Sequence, residues 1–159
     1  MVYSLAHMLV YFRIQSEKKI KMWQIVIGVF LVLHGLVHLL YLGHSARLFK
    51  LQPEMTWPDG SWAFSRFLGD DLVRSLAGVS CGSAAIGFVV GGIGLFAKQA
   101  WWRPTIITVA IFSSAIYILF WDAGWSHLDN KGGVGILINL AILVVLLVFR
   151  WPNIGIINK

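Results

Sequence analysis

The amino-acid sequence predicts an all-α integral membrane protein: a four-helix transmembrane bundle with a short N-terminal interfacial helix. Three observations support this class: 58% of the 159 residues are apolar, only 13% are charged, and the apolar residues form long runs. A typical soluble domain is about 45–50% apolar and about 25% charged. The apolar excess therefore indicates helices that lie in a lipid bilayer, so the bilayer is a predicted partner of this chain.

Four apolar runs predict spans over about residues 23–43, 72–97, 104–121 and 133–149. Each approaches or exceeds the roughly 20 residues that cross a hydrocarbon core about 30 Å thick. Pro104 suits a first helical turn, where its missing N–H leaves no hydrogen bond unmade. The sequence thus divides into an N-terminal segment over 1–21, a transmembrane domain over 22–151 and a C-terminal tail over 152–159.

The N-terminal segment does not have the pattern of a secretory signal peptide. Its apolar stretch MVYSLAHMLVYF precedes the basic residues, which reverses the order found in such signals. At 12 residues the stretch is also too short to cross a bilayer. It is interpreted as a helix lying on the membrane surface, with an extension upstream of a start at Met22 as the alternative.

The distribution of charge predicts the orientation of the spans. The side that holds both termini carries eight basic residues against one acid, whereas the other side carries five basic residues and six acids. An excess of Lys and Arg marks the cytoplasmic side. We therefore expect a multi-pass protein of the bacterial inner (plasma) membrane with both termini in the cytoplasm.

The net charge of +6 does not predict a nucleic-acid partner, because the basic residues flank apolar segments instead of forming one stripe. The single cysteine, Cys81, excludes an internal disulfide and lies in an apolar run, as a small packing residue would.

A polar strip interrupts the first span, in VLHGLVHLLYLGH at residues 32–44. His34, His38 and Tyr41 share one face of a helix because 3.6 residues complete a turn. Polar groups at matching depths in the other spans are Ser80, Ser113, Tyr117 and Asn139. Unpaired polar groups in hydrocarbon cost several kcal/mol, so these seven residues are expected to face the bundle interior and line a pocket.

The polar strip leaves several functions open. The histidines can act as interhelical hydrogen-bonding groups, as axial ligands of haem b, or as donors to a quinone, lipid head group or pigment. A metal site is also open, either at the i, i+4 histidine pair or at the mouth of the pocket, where the candidate ligands are His44, Asp122, His127 and Asp129. No arrangement of nucleophile and base is evident, so no catalytic residue is predicted.

The second span is rich in small residues. Gly87 and Gly91 form one GxxxG pair, and Gly78 and Gly82 form another on the opposite side. Small residues allow membrane helices to approach closely. One small-residue face is enough for packing within the bundle. The second face therefore predicts that this helix also contacts a larger membrane protein or a second copy of this chain.

The connection over residues 44–71 is the longest, at 28 residues, and is expected to have a function or to pack as a cap. WPDG within it predicts a turn, and Asp70 or Asp71 is expected to cap the following helix.

The segments LHGLVHLLYL, WWRP, ILFW and GILINLAILV resemble small bacterial four-helix membrane proteins of unassigned function, which are DoxX-like in size and layout. The resemblance covers about residues 23–151. It implies a four-helix fold and, because some DoxX-type proteins are membrane subunits of quinone-linked oxidoreductases, an association with a redox complex. It implies no functional residue at any position of this chain.

The preferred interpretation is a non-catalytic accessory subunit that packs through its second helix against a larger, energy-converting membrane complex. The alternative is a small haem-binding or quinone/lipid-binding redox membrane protein with its pocket at His34, His38 and Tyr41.

Overall fold

The computed structural model of the protein describes residues 2–53, 55–125 and 131–152, the side chains of residues 2–6 excepted. Within these ranges the fold is all-helical with no strand, which confirms the predicted fold class. The helices are α1 (Val2–Ser45), α2 (Asp70–Phe96), α3 (Trp102–Leu119) and α4 (Gly133–Leu143), and α4 continues as a π-helix over Val144–Val148.

Helix α1 contains both the N-terminal segment and the first span. Its 44 residues form one helix about 66 Å long, at a rise of 1.5 Å per residue. The sequence predicts a separate interfacial helix, whereas the structure has no break before Trp23. Residues 13–24 contain no Pro and no Gly, and Arg13 Nε pairs with Glu17 Oε1 at 3.3 Å one turn further on. Strong helix formers therefore carry α1 through the basic stretch.

Three of the helices are long and apolar enough to cross a membrane: His7–Ser45 of α1, all of α2 and all of α3. Where the sequence predicts a fourth span over 133–149, the structure has a shorter apolar helix, Gly133–Val148. As an α-helix it would rise only about 24 Å, which is less than a hydrocarbon core of about 30 Å.

Helix α2 packs against both α1 and α3, and α4 packs against α3. A Cβ atom added at Gly87 would lie 2.6 Å from Val109 Cγ2 of α3, and one added at Gly78 would lie 3.4 Å from Ser45 Cβ of α1. Gly91 likewise faces α3, and Gly82 faces α1. Both small-residue faces are thus covered by helices of this chain. The two glycine pairs are therefore explained by packing within this chain. A partner bound to α2 stays a prediction without support from these pairs.

The connection over residues 46–69 covers the end of the bundle at which α1 and α3 finish, called the loop end below. Ser61 Oγ donates a hydrogen bond to the carbonyl oxygen of Leu119 at 2.6 Å, and Trp62 Nε1 donates to that of Ile118 at 2.7 Å. Both acceptors lie in the last turn of α3, where carbonyl groups lack the full set of intrahelical donors; the carbonyl oxygen of Ile118 also accepts from the backbone N–H of Trp121 at 3.4 Å. The connection therefore packs as the expected cap.

The start of α2 differs from the prediction. Its N-cap residue is Gly69, with no side-chain hydrogen bond, and Asp70 and Asp71 lie in the first turn. The aspartates are therefore not caps, although their charge still lies at the positive end of the helix dipole.

Candidate functional site

Four buried polar side chains meet inside the bundle. Helix α1 contributes His34 and His38, which are 6% and 1% exposed, α3 contributes Ser113 and α4 contributes Asn139, both fully buried. His34 Nε2 lies 3.0 Å from Asn139 Oδ1, and Asn139 Nδ2 lies 2.9 Å from Ser113 Oγ. His38 Nε2 lies 2.6 Å from the same Oγ, and its Nδ1 lies 3.0 Å from the carbonyl oxygen of His34. Together with one turn of α1, these bonds form a closed ring, called the polar ring below.

The direction of each hydrogen bond in the polar ring follows from the chemistry of its groups. A carbonyl oxygen only accepts, so Nδ1 of His38 must carry the ring proton. Nε2 of a neutral His38 therefore has no proton and accepts a hydrogen bond from the Ser113 hydroxyl. Ser113 Oγ has then used its only proton and accepts from Asn139 Nδ2. Asn139 Oδ1 in turn accepts from Nε2–H of His34. The two histidines are therefore assigned opposite tautomers.

Aromatic rings fill the space around the polar ring. The ring centroid of Phe88 lies 4.7 Å from that of His34 and 5.4 Å from that of His38. Toward the loop end, the ring centroid of Tyr117 lies 6.0 Å from that of His38, and the ring centroid of Tyr41 lies 5.2 Å from that of Tyr117. Trp57 of the loop packs next to Tyr41, with 5.4 Å between their ring centroids. Packed rings thus occupy the region where the sequence predicts a pocket.

Six of the seven predicted pocket residues contact one another directly or through a shared neighbour. These are His34, His38, Tyr41, Ser113, Tyr117 and Asn139. Ser80 is half-buried on α2 and does not belong to the polar ring. None of the four cavities considered below is lined by His34, His38 or Tyr41. A ligand there would have to displace existing contacts, and ligand binding by these residues stays a prediction.

The structure describes only two of the four candidate metal ligands, His44 and Asp122, so the metal site at the mouth of the bundle stays a prediction. No group of three or more His, Cys, Asp or Glu side chains that could hold a metal ion occurs among the described residues. His44 lines one cavity at the loop end, and Asp122 lines another. His127 and Asp129 lie outside the described residues.

Asp122 instead forms an ion pair. Its Oδ2 lies 2.9 Å from Lys131 Nζ, and the backbone N–H of Gly124 donates to Oδ1 at 2.9 Å. Burial raises the pKa of Asp122, but the hydrogen bonds from Lys131 and Gly124 lower it by more, so the pKa lies below its ordinary value. This pair holds the end of α3 close to the start of α4.

Two apolar cavities lie along the sides of the bundle. The first, about 280 Å³, separates α1 from α4 and is lined by Phe30, Leu31 and Ile142, among others. The second, about 470 Å³, lies between α3 and α4 beside Tyr117 and Lys131.

Two further cavities, of about 520 and 220 Å³, lie at the loop end. The larger one is lined by Arg47, Lys50 and Arg74, three of the five basic residues that the charge distribution assigns to the side opposite the termini. The signal that could have revealed it is Arg74, a charged residue one turn inside an apolar helix.

The described part of the chain defines a class of protein: an all-helical fold with three helices able to cross a membrane and a polar ring that links α1, α3 and α4. Comparisons of the chain with protein-family models, with curated proteins and with solved structures find no match. The DoxX-like resemblance therefore stays a prediction.

Proposed function

We propose that the protein is a non-catalytic transmembrane subunit that binds a larger membrane complex through the N-terminal arm of α1, residues 7–23. Every residue of this arm is exposed. The observation that carries the proposal is an apolar patch on the arm, formed by Met8, Leu9, Val10, Tyr11, Phe12 and Ile14, each between 45% and 60% exposed.

The length of α1 indicates why this patch needs a partner. From residue 7 onward, where burial is described, Gln24 is the first buried residue of α1, and its Nε2 donates to the carbonyl oxygen of Leu95 at 2.7 Å. From Gln24 to Ser45 the helix rises about 33 Å, which already crosses a hydrocarbon core of about 30 Å. If this part spans the bilayer, the arm extends beyond the hydrocarbon. Exposed apolar patches in such positions mark interaction sites.

The polar ring supports a structural function over a redox one. Both ring nitrogens of His38 already make hydrogen bonds within the protein. Ligation of haem or donation to a quinone would break one of them and leave Ser113 or a backbone carbonyl unpaired in hydrocarbon. An energy-converting, quinone-linked complex is the partner class that the DoxX-like resemblance implies.

The test is the particle mass of the protein extracted from its membrane into polymer nanodiscs. We expect the wild-type chain to be found in a larger particle of constant composition, and the double variant Leu9→Gln/Phe12→Gln to be found as a single chain. The matched control, Leu9→Met/Phe12→Leu, keeps the arm apolar and should retain the larger particle. Circular dichroism establishes that all three chains have the same helix content.

Two results would contradict the proposal. One is a wild-type chain that is alone at the mass of a single subunit. The other is a larger particle that survives the glutamine substitutions. A reduced-minus-oxidised haem spectrum that disappears in His38→Leu would favour the alternative redox function.

A further inference from the structure

We propose that the larger cavity at the loop end binds the phosphate group of an anionic lipid. This cavity of about 520 Å³ lies between the end of α1, the start of α2 and the connecting loop. Its polar and charged lining comprises His44, Arg47, Lys50, Thr56, Asp59 and Arg74, beside the indole ring of Trp57. The site is separate from the polar ring and from the N-terminal arm.

Arg74 is a buried cation whose hydrogen-bonding capacity is incompletely used. Its side chain is only 8% exposed. Its Nη2 donates a long hydrogen bond of 3.4 Å to Asp71 Oδ1, and its Nε lies 3.4 Å from Asp59 Oδ1. Charge-assisted N–H···O bonds are ordinarily 2.7–2.9 Å long. Nε of Arg74 makes no hydrogen bond among the described residues. A buried guanidinium in this state favours an anion that can accept from it.

Trp57 provides a second buried donor in the lining of the same cavity. The residue is 3% exposed, and its indole N–H has no acceptor within the described part of the chain. A buried indole N–H normally has a hydrogen-bond partner. Phosphate oxygens are strong acceptors, and both unpaired donors belong to residues that line this one cavity.

The charges that face the cavity also favour an anion. Among the described lining residues, Arg47 from the turn after α1, Lys50 from the loop and Arg74 from α2 carry three positive charges against one carboxylate, Asp59. His44 Nδ1 lies within 3.4 Å of the backbone of Phe49 and Leu51. Glu54, in the same loop, lies outside the described residues.

The position and size of the cavity indicate a lipid. It lies where two helices that can cross a membrane end, which is the depth of phospholipid head groups. Leu48 and Phe49, next to its basic residues, are 75% and 44% exposed and could contact acyl chains. Ligand pockets typically enclose about 300–1,000 Å³, which is more than a free phosphate ion needs.

Native mass spectrometry of the detergent-solubilised full chain tests this proposal. The probes are dioctanoyl phosphatidylglycerol, dioctanoyl phosphatidylcholine, glycerol 3-phosphate and inorganic phosphate. We expect the wild type to bind phosphatidylglycerol more tightly than phosphatidylcholine, and the variant Arg47→Gln/Lys50→Gln to bind it about tenfold more weakly. Both substituted residues are exposed, so the variant should fold. The matched control is Arg66→Gln, an exposed arginine of the same loop that does not line the cavity.

Competition separates the two sources of phosphate. If glycerol 3-phosphate or inorganic phosphate displaces the lipid at micromolar concentration, the site takes free phosphate compounds as well, and the assigned chemistry holds. If neither displaces it, the head group within a bilayer is the ligand. Equal binding of the two lipids, or equal weakening in the Arg66→Gln control, would overturn the proposal and indicate non-specific attraction to a basic surface.

Discussion

The Ser113 hydroxyl lies 2.6 Å from His38 Nε2 and 2.9 Å from Asn139 Nδ2. One oxygen atom thus joins α1, α3 and α4, helices whose contacting residues are 26 and 75 positions apart in the chain. The atom is fully buried, so no water replaces either bond. The polar ring is therefore expected to determine how these three helices are rotated against one another.

Ser113→Ala should lower the free energy of unfolding by about 1–2 kcal/mol. A hydrogen bond between membrane helices contributes only about 0.6 kcal/mol on average, but this substitution leaves two buried partners unsatisfied at once. Reversible unfolding by SDS in mixed micelles measures the loss. The control is Ser114→Ala, because Ser114 Oγ donates only to the carbonyl oxygen of Ala110 in its own helix, at 2.9 Å. Equal losses in the two variants would show that the polar ring does not stabilise the bundle.

The two histidines should be found in opposite neutral tautomers. The hydrogen-bond directions place the proton of His38 on Nδ1 and that of His34 on Nε2. Nitrogen-15 NMR of histidine-labelled protein distinguishes the two forms, with His38→Gln and His34→Gln used to assign the signals. In Ser113→Ala, the His38 signal should shift while that of exposed His7 stays constant. Two histidines with the proton on Nε2 would contradict the assignment.

The two glycine pairs of α2 should respond differently to an added methyl group. Gly87→Ala should cost about 1–3 kcal/mol, because the new Cβ would lie 2.6 Å from Cγ2 of Val109, whose branched side chain has little freedom to move. Gly78→Ala meets only an ordinary contact of 3.4 Å with Ser45 Cβ and should be neutral or stabilising, since alanine favours the helix. SDS unfolding of both variants checks the sign. Similar losses of unfolding free energy at Gly87 and Gly78 would mean that α2 packs no more tightly against α3 than against α1.

The Asp122–Lys131 ion pair should give a small dependence of stability on pH. The pKa of folded Asp122 lies below its ordinary value, so the pair stabilises the fold above the unfolded pKa of about 3.9. This contribution is lost as the pH falls through the lower folded pKa. Because Asp122 is 37% exposed, we expect less than about 1 kcal/mol. The difference in unfolding free energy between wild type and Asp122→Asn should be constant above about pH 5 and vanish in acid. A difference that grows toward low pH would contradict this sign.

The polar face of α1 was predictable because it depends only on helical spacing. His34 and His38 are one turn apart and so share one face of α1. Because polar groups are costly in hydrocarbon, this face is directed into the bundle. Their partners were not predictable in the same way. His34 bonds to a residue 105 positions away, and no local pattern distinguishes Asn139 from Ser80 as the group at the right depth and rotation. The predicted ligand pocket stays a prediction for a related reason: in that region the rings of Tyr117 and Trp57 pack together with centroids 5.5 Å apart, a contact between α3 and the loop that no local pattern indicates.

By itself, the sequence determined the helical class, the presence of long apolar helices and the inward face of α1. These properties follow from hydropathy and from hydrogen bonds within single helices, and both act over a few residues. Only the tertiary structure decided that α2 is covered on both small-residue faces and that Arg47, Lys50 and Arg74 line one cavity. Such contacts depend on the rotation and depth of each helix relative to its neighbours. These quantities come from side-chain packing between segments far apart in the chain.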